Sequence, residues 1–226
     1  MSSLYRSAAV AAFIVLTGMC IHLMNAFWLE PTYLGFVDKA KDYADMAKIQ
    51  FAYENCTLSA LQLCSFTFSG FAHMINGLMF FLMAVAAREA FRDSQPVLAQ
   101  LMFPAGFLAG LGFLVVGIND IPGKALHILL RAENADYNTD ILLMATMIRS
   151  IVNIIAITGL GLFAAILSKA ALNDNRFSNW GAWFGFLLLW PALGGLVNPI
   201  AGFTYLGIVP IWLFWFGRQF SSMARA

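Results

Sequence analysis

The residues of this chain that could do chemistry are few, and they stand inside apolar stretches. Arg149 lies in a run of Leu, Met, Ile and Val, with Thr146 and Asn153 on the same helical face. An arginine at that depth costs at least about 2.5 kcal/mol on membrane-insertion scales and faces a partner or a cavity. Three arrangements would satisfy it: an ion pair with Asp120 or Asp140, an anchor for an anionic group such as a carboxylate, phosphate or lipid headgroup, or snorkelling to the outer surface. Counted from the start of its span, Arg149 is about eight residues in, or roughly 12 Å at 1.5 Å per residue.

Two histidines share a local pattern, His22-x-x-Asn25 and His73-x-x-Asn76, which puts each Asn on the face of its His. Paired intramembrane histidines raise the question of a bis-histidine haem. On residue counts His22 is roughly 21 Å from the inner edge and His73 roughly 22 Å from the outer one, so their depths differ by more than about 10 Å. That spacing argues against a haem. Each His then reads as a neutral hydrogen-bonded interior group, since burial disfavours the charged form, or as a proton acceptor in a cavity.

Other catalytic patterns are absent from the sequence: no HExxH, no GxSxG, no glycine-rich phosphate loop. The three cysteines form no CxxC and no zinc spacing. No carboxylate sits mid-span, where a proton-coupled carrier commonly places one. The chain leans away from an enzyme, with His73 as the one candidate base, and it names no cofactor.

The elements that position these groups are membrane helices. The chain has 226 residues, 61% hydrophobic and 11% charged, and a mean hydropathy of +0.76. A soluble domain carries about 25% charged residues. Within 59–76, with Thr67 set aside, the polar residues Ser59, Gln62, Ser65, Ser69, His73 and Asn76 follow gaps of 3, 3, 4, 4 and 3. That is one face of a helix, and hydrocarbon offers it no hydrogen-bond partner. It must face other helices or a watery cavity.

The fold expected is all-α, a polytopic membrane protein with six spans in one bundle forming a single domain. The spans are placed near 8–29, 58–87, 97–118, 141–167, 180–197 and 200–216. Connections 30–56 and 124–132 carry helical apolar periodicity among charges, so two amphipathic helices are expected on the outer surface. Gly106 and Gly110 form a GxxxG suited to close packing or docking. Trp28, Trp180, Trp183, Trp212 and Trp215 read as interfacial belts, and Pro191 as a kink in span five.

Charge sets orientation. One side holds Arg6, Arg88, Arg92, Lys169, Arg176, Arg218 and Arg225, and the other holds most of the carboxylates. Positive residues mark the cytoplasmic side, so both termini are expected there. A net charge of +1 gives no reason to expect nucleic acid. The partners expected are the lipid bilayer and a small polar or anionic ligand, with a homo-oligomer or partner membrane subunits as further possibilities. The expected ligand-binding residues are Arg149, His73, Asn76, His22, Asn25, Asn153, Gln62 and Ser69, in a pocket that binds or conducts a small molecule. Asn119, Asp120 and Asn198 would stand near its outer mouth. The alternative is an accessory subunit of a membrane complex, docked through the GxxxG face.

Overall fold

The computed structural model describes residues 1–24, 65–123, 139–198, 201–202 and 204–225. The helices are α1 (Ser2–Met24), α2 (Ser65–Phe91), α3 (Pro96–Ile118), α4 (Thr139–Leu172), α5 (Trp180–Leu187), α6 (Leu189–Val197) and α7 (Tyr205–Met223). No strand occurs among the described residues. Both expected surface helices, at 30–56 and 124–132, lie outside the described residues, as do Asn25 and Gln62.

Among the described residues, five stretches are long and apolar enough to cross a membrane: Ser2–Ile21, Gly70–Phe91, Pro96–Ile121, Met147–Leu172 and Trp180–Val197. The last combines α5 and α6, which break at Leu188. Pro191 accounts for the break, because it has no N–H to give the carbonyl of Leu187. α7 falls short of these five, since Arg218, Gln219, Ser221 and Ser222 crowd its last two turns. Several boundaries move from those the sequence implies. α1 begins at Ser2, so Arg6 is inside the helix, and α4 continues to Leu172, burying Ser168 completely.

The helices close into a ring. α1 packs between α2 and α7, α3 between α2 and α4, and α4 against α5 and α6, with α5 returning to α7. Along α1 and α7, Tyr5 meets Phe220 and Phe13 meets Phe214, so the two run antiparallel and both termini share one end. The middle is filled by Phe80, Phe113, Phe163, Trp212 and Phe216, none of them exposed. Trp212 and Trp215 therefore belong to the core rather than to an interfacial belt, whereas Trp180 and Trp183 are exposed at 48% and 61%.

Between lipid-embedded helices there is no hydrophobic drive to associate, so contact depends on close packing of small residues. Gly77 and Gly110 face one another across α2 and α3; a Cβ on either would come within 2.7 Å of the other's carbonyl oxygen. Gly70 faces Gly117 in the same seam one heptad away, and Ala84 faces Gly106. The Gly106–Gly110 face is thus occupied by α2, not presented to a partner. On the other side of α3, a Cβ on Gly112 would stand 2.6 Å from that of Ala156 in α4.

The end that carries the termini is held by polar latches. Gln95 donates to the carbonyl of Ala170 at 2.7 Å. Arg176 pairs with Asp174 at 2.6 Å and also donates to the carbonyl of Ala90 at 2.9 Å, one of the orphan acceptors at the end of α2. Beside it Phe91 stacks on Phe177, which in turn meets Trp215 and Phe220. The hydrogen bond from Arg176 holds the Asp174 carboxyl below its usual range against the opposing effect of burial. A depressed carboxylate stabilises the fold above its unfolded value, and this contribution disappears as pH falls toward the folded value. Arg176→Gln should therefore lower the midpoint of thermal unfolding at neutral pH, by about 1 kcal/mol of stability or less for so exposed a pair. The difference from the wild type should shrink below about pH 4; a gap that persists in acid would mean the latch acts through packing alone.

Candidate functional site

The polar residues gather at the opposite end. α3 runs into a π-helical turn, Asn119–Gly123. Pro122 lacks the N–H that would bond the carbonyl of Ile118 in an α-helix, which favours that looser turn. Asp120 within it faces α2 at Gly70, where a Cβ on the glycine would lie 3.1 Å from that of Asp120. From α4, Arg149 reaches the same carboxylate with two parallel bonds, Nε to Oδ1 at 2.6 Å and Nη2 to Oδ2 at 2.8 Å. The Asp120 side chain is fully buried and that of Arg149 is 29% exposed. The ion pair with Asp120, one of the arrangements open to Arg149, is formed.

The fork geometry is what makes the pair tolerable. Removing two charges from water costs several kcal/mol per ion, and only close, bidentate contact offsets it.

His73 and Asn76 lie on the buried face of α2, at 4% and 2% exposure. The same face continues as Phe80, Ala84, Ala87 and Phe91, all buried, so the polar stripe is the end of the stripe that faces the core. His73 stacks on Phe113 with ring centroids 5.8 Å apart and planes within 6°, and Phe113 stacks on Phe80. This places the imidazole one helical turn inward of Asp120. The Oδ1 of Asn76 is buried without a hydrogen bond among the described residues and presses against Gly18 of α1.

That contact also fixes the level of His22. From Gly18 to His22 is four residues and from Asn76 back to His73 is three, so the two histidines stand level to within about 2 Å. The depth difference expected from residue counts is therefore absent.

Of the remaining expected residues, Asn153 is half-buried one turn inward of Arg149, and Asn119 is half-buried beside Asp120. Asn198 is exposed at the end of α6. Ser69 is in α2, one turn before His73. The sequence reading missed Tyr205, buried at the start of α7 within electrostatic range of Arg149. It also missed Ser168 and Trp212, whose Oγ and Nε1 are buried without hydrogen bonds among the described residues, both facing Gly185. Among the described residues no cluster of three metal-ligating side chains occurs. No protein-family model, no curated protein and no solved structure matches this chain.

Breaking one side of the pair should be costly. Arg149→Leu leaves a buried carboxylate without its cation and should cost about 3 kcal/mol, the lower end for a buried pair because Arg149 is partly exposed. The double variant Arg149→Leu with Asp120→Leu should recover most of that loss in thermal unfolding. No recovery in the double variant would show that the two side chains do not act as a pair.

Proposed function

We propose that this is a six-span membrane protein with cytoplasmic termini that binds a small polar or anionic molecule at its outer end, beside the Asp120–Arg149 pair. The observation that carries the reading is the asymmetry of that pair: the Asp120 side chain is sealed while the Arg149 side chain stays 29% exposed. A guanidinium offers five donors in a rigid fork, suited to a carboxylate or phosphate. Asn153 on the same face of α4 and His73 and Asn76 one to two turns deeper would add neutral hydrogen-bonding groups. The ion pair with Asp120 would position Arg149 beside that site.

The sixth span is α7. Its antiparallel course beside α1, from Tyr205 near Arg149 to Phe220 beside Tyr5, supports a full crossing. About 28 Å of helix follows from its 19 residues, close to the hydrocarbon thickness. Six crossings return both termini to the side rich in arginine, and the positive-inside rule makes that side cytoplasmic.

Binding is favoured over conduction. A path through the ring would have to pass Phe80, Phe113, Phe163, Trp212 and Phe216, all fully buried. The accessory-subunit alternative loses its expected docking face, since Gly106 and Gly110 pack within the chain.

The test uses the paired neutral variant Arg149→Gln with Asp120→Asn, which removes both charges and keeps the shapes. Native mass spectrometry of wild-type protein, gently extracted from its membrane, should show added mass from a small molecule. The double variant should elute as a folded protein with that occupancy reduced about 10- to 100-fold, the loss expected for a charge-assisted contact. Equal occupancy in both proteins, or a bare wild-type chain, would remove the site.

A further inference from the structure

The opposite end of the bundle carries a second site of a different kind. A groove of about 470 Å³ opens beside the C-terminal turns of α7, lined by Arg218, Arg225, Ser178, Ser222, Trp180 and Phe13 among others. Its size falls in the ordinary range of ligand pockets, roughly 300–1,000 Å³. No acidic residue lines it. The carboxylates described at this end are already engaged: Glu89 and Asp93 with Arg92, and Asp174 with Arg176. The two groove arginines have no carboxylate partner among the described residues, so their positive charge is left for something outside the chain.

The floor is built rather than incidental. Gln219 donates to the Ser178 hydroxyl at 2.6 Å and accepts from the Ser178 backbone N–H at 3.1 Å. The Trp215 indole donates to the Ser178 carbonyl at 2.9 Å. Arg218 lies over the Phe214 ring, 6.0 Å from its centroid, a placement that steadies a guanidinium by cation–π attraction. These contacts fix the hydroxyl and one arginine before any ligand arrives.

What fits is set by how the groove meets the membrane. Along the exposed face of α7 the order is Ile211, Phe214, Arg218 and Ser222, with Arg225 just past the end of the helix, successive positions three or four apart. The face changes from apolar to basic within a single turn, between Phe214 and Arg218. Phe13 on α1 and Trp180 at the start of α5 are exposed at 37% and 48% on the same groove, the second in the position of an interfacial anchor. A soluble anion would use only the basic rim. A phospholipid would use both, with its phosphate between the arginines and its chains against Phe13 and Phe214.

We infer that this groove seats the headgroup phosphate of an anionic phospholipid from the leaflet on the side of the chain termini. The site is independent of the ligand site beside Arg149 and lies at the other end of the bundle.

The test is lipid retention by native mass spectrometry, with dioleoyl phosphatidylglycerol and dioleoyl phosphatidylcholine added separately to the detergent-solubilised protein. Wild-type protein should retain the glycerol lipid preferentially. The variant R218Q/R225Q should lose about 30-fold in affinity for it, since each basic residue beside an anionic lipid contributes about fivefold. The variant R88Q/K169Q removes equal charge from exposed positions at the same end that do not line the groove, and should leave retention unchanged. Equal losses in both variants, or no preference in the wild type, would overturn the assignment. Inorganic phosphate at millimolar concentration should leave the lipid bound; displacement by it would make free phosphate the ligand. Thermal stabilisation of the wild type by the glycerol lipid and not by the choline lipid provides a readout that needs no variant, and its absence would count against the site.

Discussion

Hydrocarbon gives a polar group no partner, and it gives an apolar side chain no reason to prefer a neighbouring helix over lipid. Both facts press on α2 more than on any other helix. One of its faces is pared down to Gly70, Gly77 and Ala84, which lets α3 come into backbone contact through Gly117, Gly110 and Gly106. The other turns His73 and Asn76 inward, followed by Phe80 and Phe91. Without the first face the second would not be sealed, because α3 carries both Phe113, on which His73 stacks, and the π-turn that holds Asp120. The glycine seam thereby holds the imidazole against Phe113 and brings the carboxylate within reach of Arg149, whose bidentate contact offsets the cost of burying it.

The two ends of the bundle handle charge in opposite ways. At the end with the termini, charged side chains stay near water and clip loop to helix: Arg176 to Asp174 and the Ala90 carbonyl, Arg92 to Glu89. Pairs of that kind contribute modestly, and the adjoining stack of Phe91, Phe177 and Phe220 supplies the packing. At the other end Asp120 is taken out of water completely.

Periodicity carries what the sequence makes legible. The 3-3-4-4-3 spacing ending in His73 and Asn76 marks a face that must be hidden, and the structure hides those two residues. The pairing of Arg149 with Asp120 was among the arrangements open to that arginine, because Asp120 stands at the outer end of the expected third span. What escaped depends on relations between helices. Trp212 and Trp215 look like belt residues because they approach a basic terminus, yet Gly181 opens a slot that takes the Trp215 ring into the core. Ser168 reads as the start of a loop from its polarity, and Gly185 opposite it is what makes room for its burial. The levels of His22 and His73 follow from the Gly18–Asn76 contact, which no single-helix count contains. Tyr205 gives no local signal, since its burial depends on where α7 lands.

The asymmetry of the Asp120–Arg149 pair bears on why it exists. A buried ion pair is weak as a source of stability, because well-packed apolar residues of similar volume often do as well or better. An arginine in a membrane helix can also reach solvent by snorkelling along its own stem. An arginine held here by a sealed carboxylate therefore gives up the freedom to snorkel, and stability alone does not require that. What the arrangement achieves is position: the guanidinium is fixed in direction, partly open, with neutral polar groups beneath it. Fixed direction matters for recognising an ion, since it removes the ordering cost that a mobile arginine would incur on binding.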